Sequence, residues 1–297
     1  MAAIGGPTPS RALAAAAPRR WRPDAAALYF TAFTLLLYLP LALLVLFSFN
    51  ASRTMAFPIK GWTLDWYAQA WQSPGLRQAL ANSLAVALGS SLAATVLGSL
   101  AAVAVLRFRF PGRRLLLTVA TLPLVVPSIV LAVALLAGAT QVNSLLAAAA
   151  PGLESARLKP FSLWTVGISH VVIALPMVIL IVAARLVGIP RRLEEAAMDL
   201  GCSYWGAQRR VTLPLARPAI LAAFLTAFSS SFDEFGTAFL LAGTRQTLPT
   251  YLYSQLRSAY KLPMVVAAAA VIIVASLLLV AATELLRRNG ETRSEGA

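Results

Sequence analysis

Six stretches of this chain are apolar over about the 20 residues that a helix needs to cross a bilayer, and nothing else in the sequence constrains the fold as strongly. They run from Ala26 to Phe47, Leu80 to Leu106, Leu115 to Gly138, Leu163 to Val187, Ile220 to Leu241 and Leu262 to Leu286. The expected fold is an all-α membrane protein. Pro176 predicts a kink in the fourth span, and Pro123 and Pro127 predict a broken or bent third span. In the second span Ser90, Ala94, Gly98 and Ala102 recur every four residues, a row of small side chains that lets helix backbones approach closely in lipid.

Composition agrees with this reading. Of 297 residues, 59% are hydrophobic and only 12% charged, against roughly 25% charged in a soluble domain. A net charge of +14 would point to nucleic acid in a soluble protein. Here the basic residues cluster between the apolar runs, as membrane topology demands. Membrane lipid is therefore an expected partner and nucleic acid is not. One Cys and one His allow neither a zinc spacing nor a disulfide within the chain, so no metal and no other cofactor is expected. Cys202 falls in a predicted cytoplasmic loop, where it stays reduced.

Residues 1–25, rich in Ala, Pro and Arg, read as a disordered cytoplasmic tail with little to bury. A signal peptide is the competing reading, but the first apolar run is too long for its hydrophobic region and no small-residue cleavage site follows cleanly. Residues 26–79 are then a first span with a periplasmic loop, 80–286 the main transmembrane domain, and 287–297 a cytoplasmic tail. Arginines set the orientation. The tails and the loops after spans two and four hold 17 of the 25 Lys and Arg residues. The other three loops, comparably long together, hold eight. The positive-inside rule makes the basic side and both termini cytoplasmic.

The longest cytoplasmic loop, residues 188–216, is organised. Pro190 suits a helix start, and Arg191 to Leu200 contains good helix formers with Glu194 and Glu195 in its first half. Gly201 can end that helix in a left-handed turn. A second short helix is expected after Ser203, a good N-cap, and should stop before Pro214. Such a loop reads as a docking surface for another protein.

Within it, Glu195-Ala196-Ala197, three residues, Gly201, nine residues, and Val211-Thr212-Leu213-Pro214 resemble the EAA motif of binding-protein-dependent ABC importer permeases. The family pattern has Ile where this chain has Val211. The resemblance covers about Leu80 to Thr283. It implies a six-helix, type I importer transmembrane domain in a bacterial inner membrane, with the loop as the coupling helix that fits a cleft on an ATPase subunit. Glu195, Ala196, Ala197, Gly201, Leu213 and Pro214 are then the ATPase-coupling residues. Gly201 permits the bend, the alanines allow close approach, and Glu195 offers a carboxylate to the partner. The alternative for Glu195 is an acid that favours its own helix N-terminus. The resemblance also implies a second permease subunit, identical or related, and an extracytoplasmic solute-binding protein. No G-x-x-x-x-G-K-[ST] occurs, so ATP hydrolysis is expected on a partner and this chain is not expected to be an enzyme.

Span five carries the acids Asp233 and Glu234, which are costly in a membrane and usually functional. On one continuous helix Thr226, Ser230, Asp233 and Thr237 would share a stripe, opposite Phe224, Phe228, Phe232, Phe235 and Phe239. Asp233 would lie about 24 Å above Arg217, in the outer half of the membrane. Asp233, Glu234, Ser230, Thr226 and Thr237 are the candidate substrate path. The other reading makes this stripe a seal between helices, with Asp233 paired to Arg245 or Arg257. His170, alone in span four, reads as an interhelical hydrogen bonder. The Ser-Phe-Asp-Glu-Phe segment and Thr247-Leu248-Pro249 resemble the spermidine/putrescine branch, whose substrates are cations. Ser128 departs from that branch, several of whose members carry an acid there. Permeases for iron, opines or aminoalkylphosphonates share much of the pattern.

Two other classes fit less well. A secondary transporter would place ionisable groups mid-membrane and often show repeated halves. A membrane-embedded enzyme would need a catalytic constellation that one His without clustered carboxylates does not provide.

Overall fold

A computed structural model describes residues 25–149 and 159–295. Among these the regular structure is helical, apart from one isolated bridge between Asn50 and Trp62. Six helices are long and apolar enough to cross a membrane. Apart from Ala25, the expected disordered tail lies outside the described residues.

The chain divides into two units, Met1–Leu44 and Val45–Ala297. The first contains most of α1 (Ala25–Ser48), whose side chains from Leu28 to Leu41 are largely exposed. Thr31 and Thr34 donate their hydroxyls to the carbonyls of Ala27 and Phe30, each at 2.8 Å. These two hydroxyls are thereby satisfied within the helix, as lipid requires.

In the second unit the stretch over residues 49–73 is tied down rather than loose. Trp66 on α2 (Asp65–Gln72) donates its indole N–H to the Asn50 carbonyl at 2.8 Å, and the Tyr67 and Ser48 hydroxyls lie 2.6 Å apart. Ser73 caps α3 (Pro74–Arg107), accepting the Leu76 N–H at 3.4 Å, so this span begins six residues before the expected Leu80.

The core is formed by α3, α6 (Leu163–Val187) and α9 (Leu213–Phe232). Ala94 and Ala102 of α3, Ala174, Val178 and Val182 of α6, and Ala223 and Ala227 of α9 are buried there. The small-residue row of span two is the reason these backbones can meet. A Cβ added at Gly98 would fall 2.6 Å from Val178 Cγ1. α6 runs through Pro176 as one helix.

Two expected spans are interrupted. The third is split into α4 (Arg113–Thr121), a tight turn over Leu122–Leu124, and α5 (Ser128–Ala149). Pro123 and Pro127 cannot donate to a continuing helix, so the spanning helix starts at Ser128 and runs past the expected end at Gly138. The fifth expected span ends at Phe232, and a separate short helix, α10 (Gly236–Leu241), follows. α11 (Leu248–Gln255) and α12 (Leu262–Glu295) complete the chain.

Gly98→Ala is expected to lower the apparent unfolding temperature of the purified protein, because overpacking a close contact costs about 1–3 kcal/mol. Val178→Ala in the same chain should recover only part of the loss, since it removes the Cγ1 contact but leaves the Val178 Cβ 2.9 Å away. Gly89→Ala is the control, as nothing lies within 4 Å of its added Cβ. Equal unfolding temperatures for Gly98→Ala and the parent would contradict this packing.

Candidate functional site

The loop over residues 188–216 is a helical hairpin. Pro190 precedes α7 (Arg191–Asp199) in an extended conformation rather than lying in its first turn. Gly201 ends it with φ +90°, its N–H donating to the Met198 carbonyl at 2.9 Å and the Cys202 N–H donating to Ala197 at 3.0 Å. Two such bonds around a left-handed glycine satisfy the last carbonyls of a helix. Ser203 then caps α8 (Tyr204–Ala207), accepting the Gly206 N–H at 3.2 Å. The expected stop before Pro214 does not occur. Instead a wide five-residue turn, Gln208–Thr212, carries the chain straight into α9. Pro214 explains the turn: it has no N–H, and its ring would clash with the carbonyl four residues back in a regular helix.

Adjacent acids on α7 differ in burial. Glu195 and Ala196 are exposed and Ala197 is half-buried. Leu213 and Pro214 are exposed as well. Around them stand Leu200, 88% exposed, and Trp205, 70% exposed. Leu200 lies outside the candidate spans, and Trp205 lies in the first turn of the candidate span Tyr204–Phe232.

Glu194 turns inward and is 4% exposed. Its Oε1 lies 2.8 Å from the Arg107 guanidinium at the end of α3 and accepts the Thr212 hydroxyl at 2.7 Å, while Oε2 accepts from Gln208 at 3.1 Å. Arg107 also donates to the Ile189 carbonyl at 3.1 Å, and Arg191 donates to the Leu106 carbonyl. A buried charge is tolerated only when paired and hydrogen-bonded, and removing one partner costs about 3–5 kcal/mol. Sequence reasoning placed Glu194 in the helix without a role. Its position beside Glu195 shows only that the two side chains point about 100° apart; which of them turns inward is settled by the partners of Glu194.

The break in span five gathers the other candidates. Asp233 is exposed and follows the last turn of α9, its N–H donating to Ser229 at 3.1 Å. Among the described residues it has no ion pair, with Arg245 and Arg257 included. Glu234 Oε1 accepts the Thr237 N–H at 3.1 Å, capping the start of α10. Thr237 is fully buried, and Thr226 donates to Ala222 within α9 at 2.8 Å. Ser230 is half-buried. The expected stripe is therefore not one helical face, because the helix ends between Ser230 and Thr237. The aromatic stripe divides likewise. Phe224, Phe228 and Phe232 stack along α9, while Phe235 and Phe239 pack with Tyr253 of α11.

The two interrupted spans meet here. Gly236, the first residue of α10, is so close to Ser128, the first residue of α5, that an added Cβ would collide with the Ser128 hydroxyl. Non-helical backbone at membrane depth occurs where protein buries it or where it lines an aqueous cavity. Beneath the break, His170 Nδ1 lies 2.7 Å from the Ser231 hydroxyl, which lies 2.9 Å from Ser90. His170 thus joins α6 to α9 and α3, as expected for an interhelical hydrogen bonder. A groove of about 750 Å³ between α3 and α6 is lined, among the described residues, by Lys159 and Arg245 and by no acid.

Known proteins agree with this architecture. Residues 94–289 match the family described as binding-protein-dependent transport system inner membrane component. The spermidine/putrescine transport system permease protein PotC of Escherichia coli strain K12 is 34% identical over 230 residues, 77% of this chain and 81% of that protein. The putrescine transport system permease protein PotI of the same strain is 32% identical over 223 residues, 74% of this chain and 76% of that one. The fold matches the crystal structure of a bacterial ABC transporter involved in import of the acidic polysaccharide alginate. The TM-score is 0.71 at 22% identity, covering 89% of this chain and 94% of the other. With six membrane-capable helices, a type I fold and these relatives, the chain belongs to the family of binding-protein-dependent transport system inner membrane components, as a multi-pass permease subunit of an ABC importer.

Proposed function

We propose that the chain forms part of the translocation path for a polyamine, and that the energy comes from a separate ATPase subunit seated on α7. A solute-binding protein delivers the cation from outside, and a second permease subunit completes the path. The observation that carries the substrate reading is the unpaired, exposed Asp233 at the break between α9 and α10. An acid there suits a cationic solute, and PotC and PotI are named for cationic solutes. The fold does not choose the solute, since the alginate importer shares it. Among the described lining residues of the groove, Lys159 and Arg245 disfavour a polycation, which supports the acidic break as the path.

Docking of the ATPase is supported by the exposed face of the loop: Glu195 and Ala196 beside Leu200 and Trp205, held by the Gly201 turn. Both termini and this loop lie in the cytoplasm on this reading, because the basic excess of 17 to eight is on that side.

Glu195→Lys and Gly201→Pro should leave the chain in the membrane and abolish stable association with the ATPase. Capture of the ATPase at parental levels by both variants, with normal uptake, would contradict the docking assignment.

Asp233→Asn keeps volume and hydrogen bonding but removes the charge. Uptake of labelled spermidine should fall by about tenfold, as lost charge contacts are worth a few kcal/mol, while membrane abundance stays normal. If Asp233 instead sustains the fold, abundance falls. Normal spermidine uptake with normal abundance would show that Asp233 neither lines the path nor sustains the fold.

A further inference from the structure

Of the two neighbouring acids on α7, Glu195 faces out and Glu194 is consumed inside the protein. The partners of Glu194 come from segments far apart in sequence. Arg107 ends α3, whereas Gln208 and Thr212 belong to the wide turn that opens into α9. The wide turn has a geometric consequence. A π-type turn takes more than four residues per revolution, so Gln208 and Thr212, four apart, stand side by side toward one carboxylate. Arg107 makes a second tie to Ile189, the residue before Pro190, and Arg191 makes a third contact, to Leu106. α7 is thus held at its start and along its inner face, and the Gly201 turn closes its far end.

We infer that Glu194 is a positioning residue that makes α7 move as one body with the cytoplasmic ends of α3 and α9, so that a displacement at the ATPase reaches the spans. The inference rests on reading α7 as the ATPase-docking helix. Without these ties, a hairpin joined only through Gly188 and the wide turn would swing on its backbone and absorb the displacement. A neutral polar side chain at 194 could serve one or two of these donors. A carboxylate serves all three, and the charged pair makes its bonds shorter and stronger than neutral ones. The alternative is that the cluster only holds the loop folded. The two differ in outcome, because replacing both members of a buried pair often leaves stability intact while the directional tie is lost.

The test uses the complete importer, with its ATPase, second permease subunit and binding protein, in proteoliposomes. The reading is ATP hydrolysis with the binding protein present divided by hydrolysis without it. This ratio reports signal passing through the spans to α7, whichever solute is carried. Arg107→Met with Glu194→Gln removes both charges and keeps an amide oxygen for Thr212. Thr212→Val is isosteric, leaves the ion pair in place and cuts one tie to α9, so it tests the inference even if the double variant folds poorly. The double variant is expected to retain the ATPase and an unfolding temperature near the parent's, while the ratio falls by about fivefold or more, toward unity. Thr212→Val is expected to lower the ratio by about twofold, with the ATPase equally bound. A parental ratio in Thr212→Val and in any folded double variant would overturn the inference and leave Glu194 a purely structural residue. Loss of the ATPase from a folded double variant would also overturn it, since the pair would then shape the docking face instead of transmitting its motion. Failure of the docking reading shows separately, as retention of the ATPase by Glu195→Lys.

Discussion

The close approach of three helix backbones supports everything else in this chain. α3, α6 and α9 meet through alanine, glycine and valine, and Gly98 lies against Val178 with no room for another carbon. Lipid gives apolar helices no solvent-driven reason to associate, so contact area and interhelical hydrogen bonds must hold them. The Ser90–Ser231–His170 series supplies such bonds at one level of the bundle. A firm centre of this kind allows the surrounding spans to break where function needs irregular backbone.

Those breaks lie where proline or acid enters the apolar pattern. Pro123 and Pro127 end one helix and start another, and Asp233-Glu234 separate α9 from α10. The starts of α5 and α10 then meet at Ser128 and Gly236. Each interruption would be costly alone in lipid. Together, each covers part of the other's exposed backbone, and Glu234 satisfies an N–H that the break frees.

Much of this was legible in the residues. Spans one and four are visible to within a residue or two because their apolar runs are clean and their flanks polar. The Gly201 turn is legible because only glycine takes a left-handed φ without strain. The interruption of span five was not legible. Helical periodicity assumes a continuous helix, and a Ser-Phe-Asp-Glu-Phe segment satisfies that periodicity whether or not the backbone follows it. Nor was the role of Glu194, since its partners Arg107 and Thr212 are 87 residues before it and 18 after. Only the packing of α3 against the loop brings them together. The motif directs attention to Glu195, the outward acid, and the inward one beside it has no signature of its own.

On the proposed reading this permease is driven from α7 by a partner's ATP hydrolysis and not by an ion gradient acting on the spans. The most direct measurement is accumulation of labelled spermidine in proteoliposomes holding the assembled importer and its binding protein, with proton and sodium gradients collapsed. The account predicts accumulation only when ATP is supplied on the face that carries α7. Accumulation without ATP, following an imposed ion gradient, would contradict it.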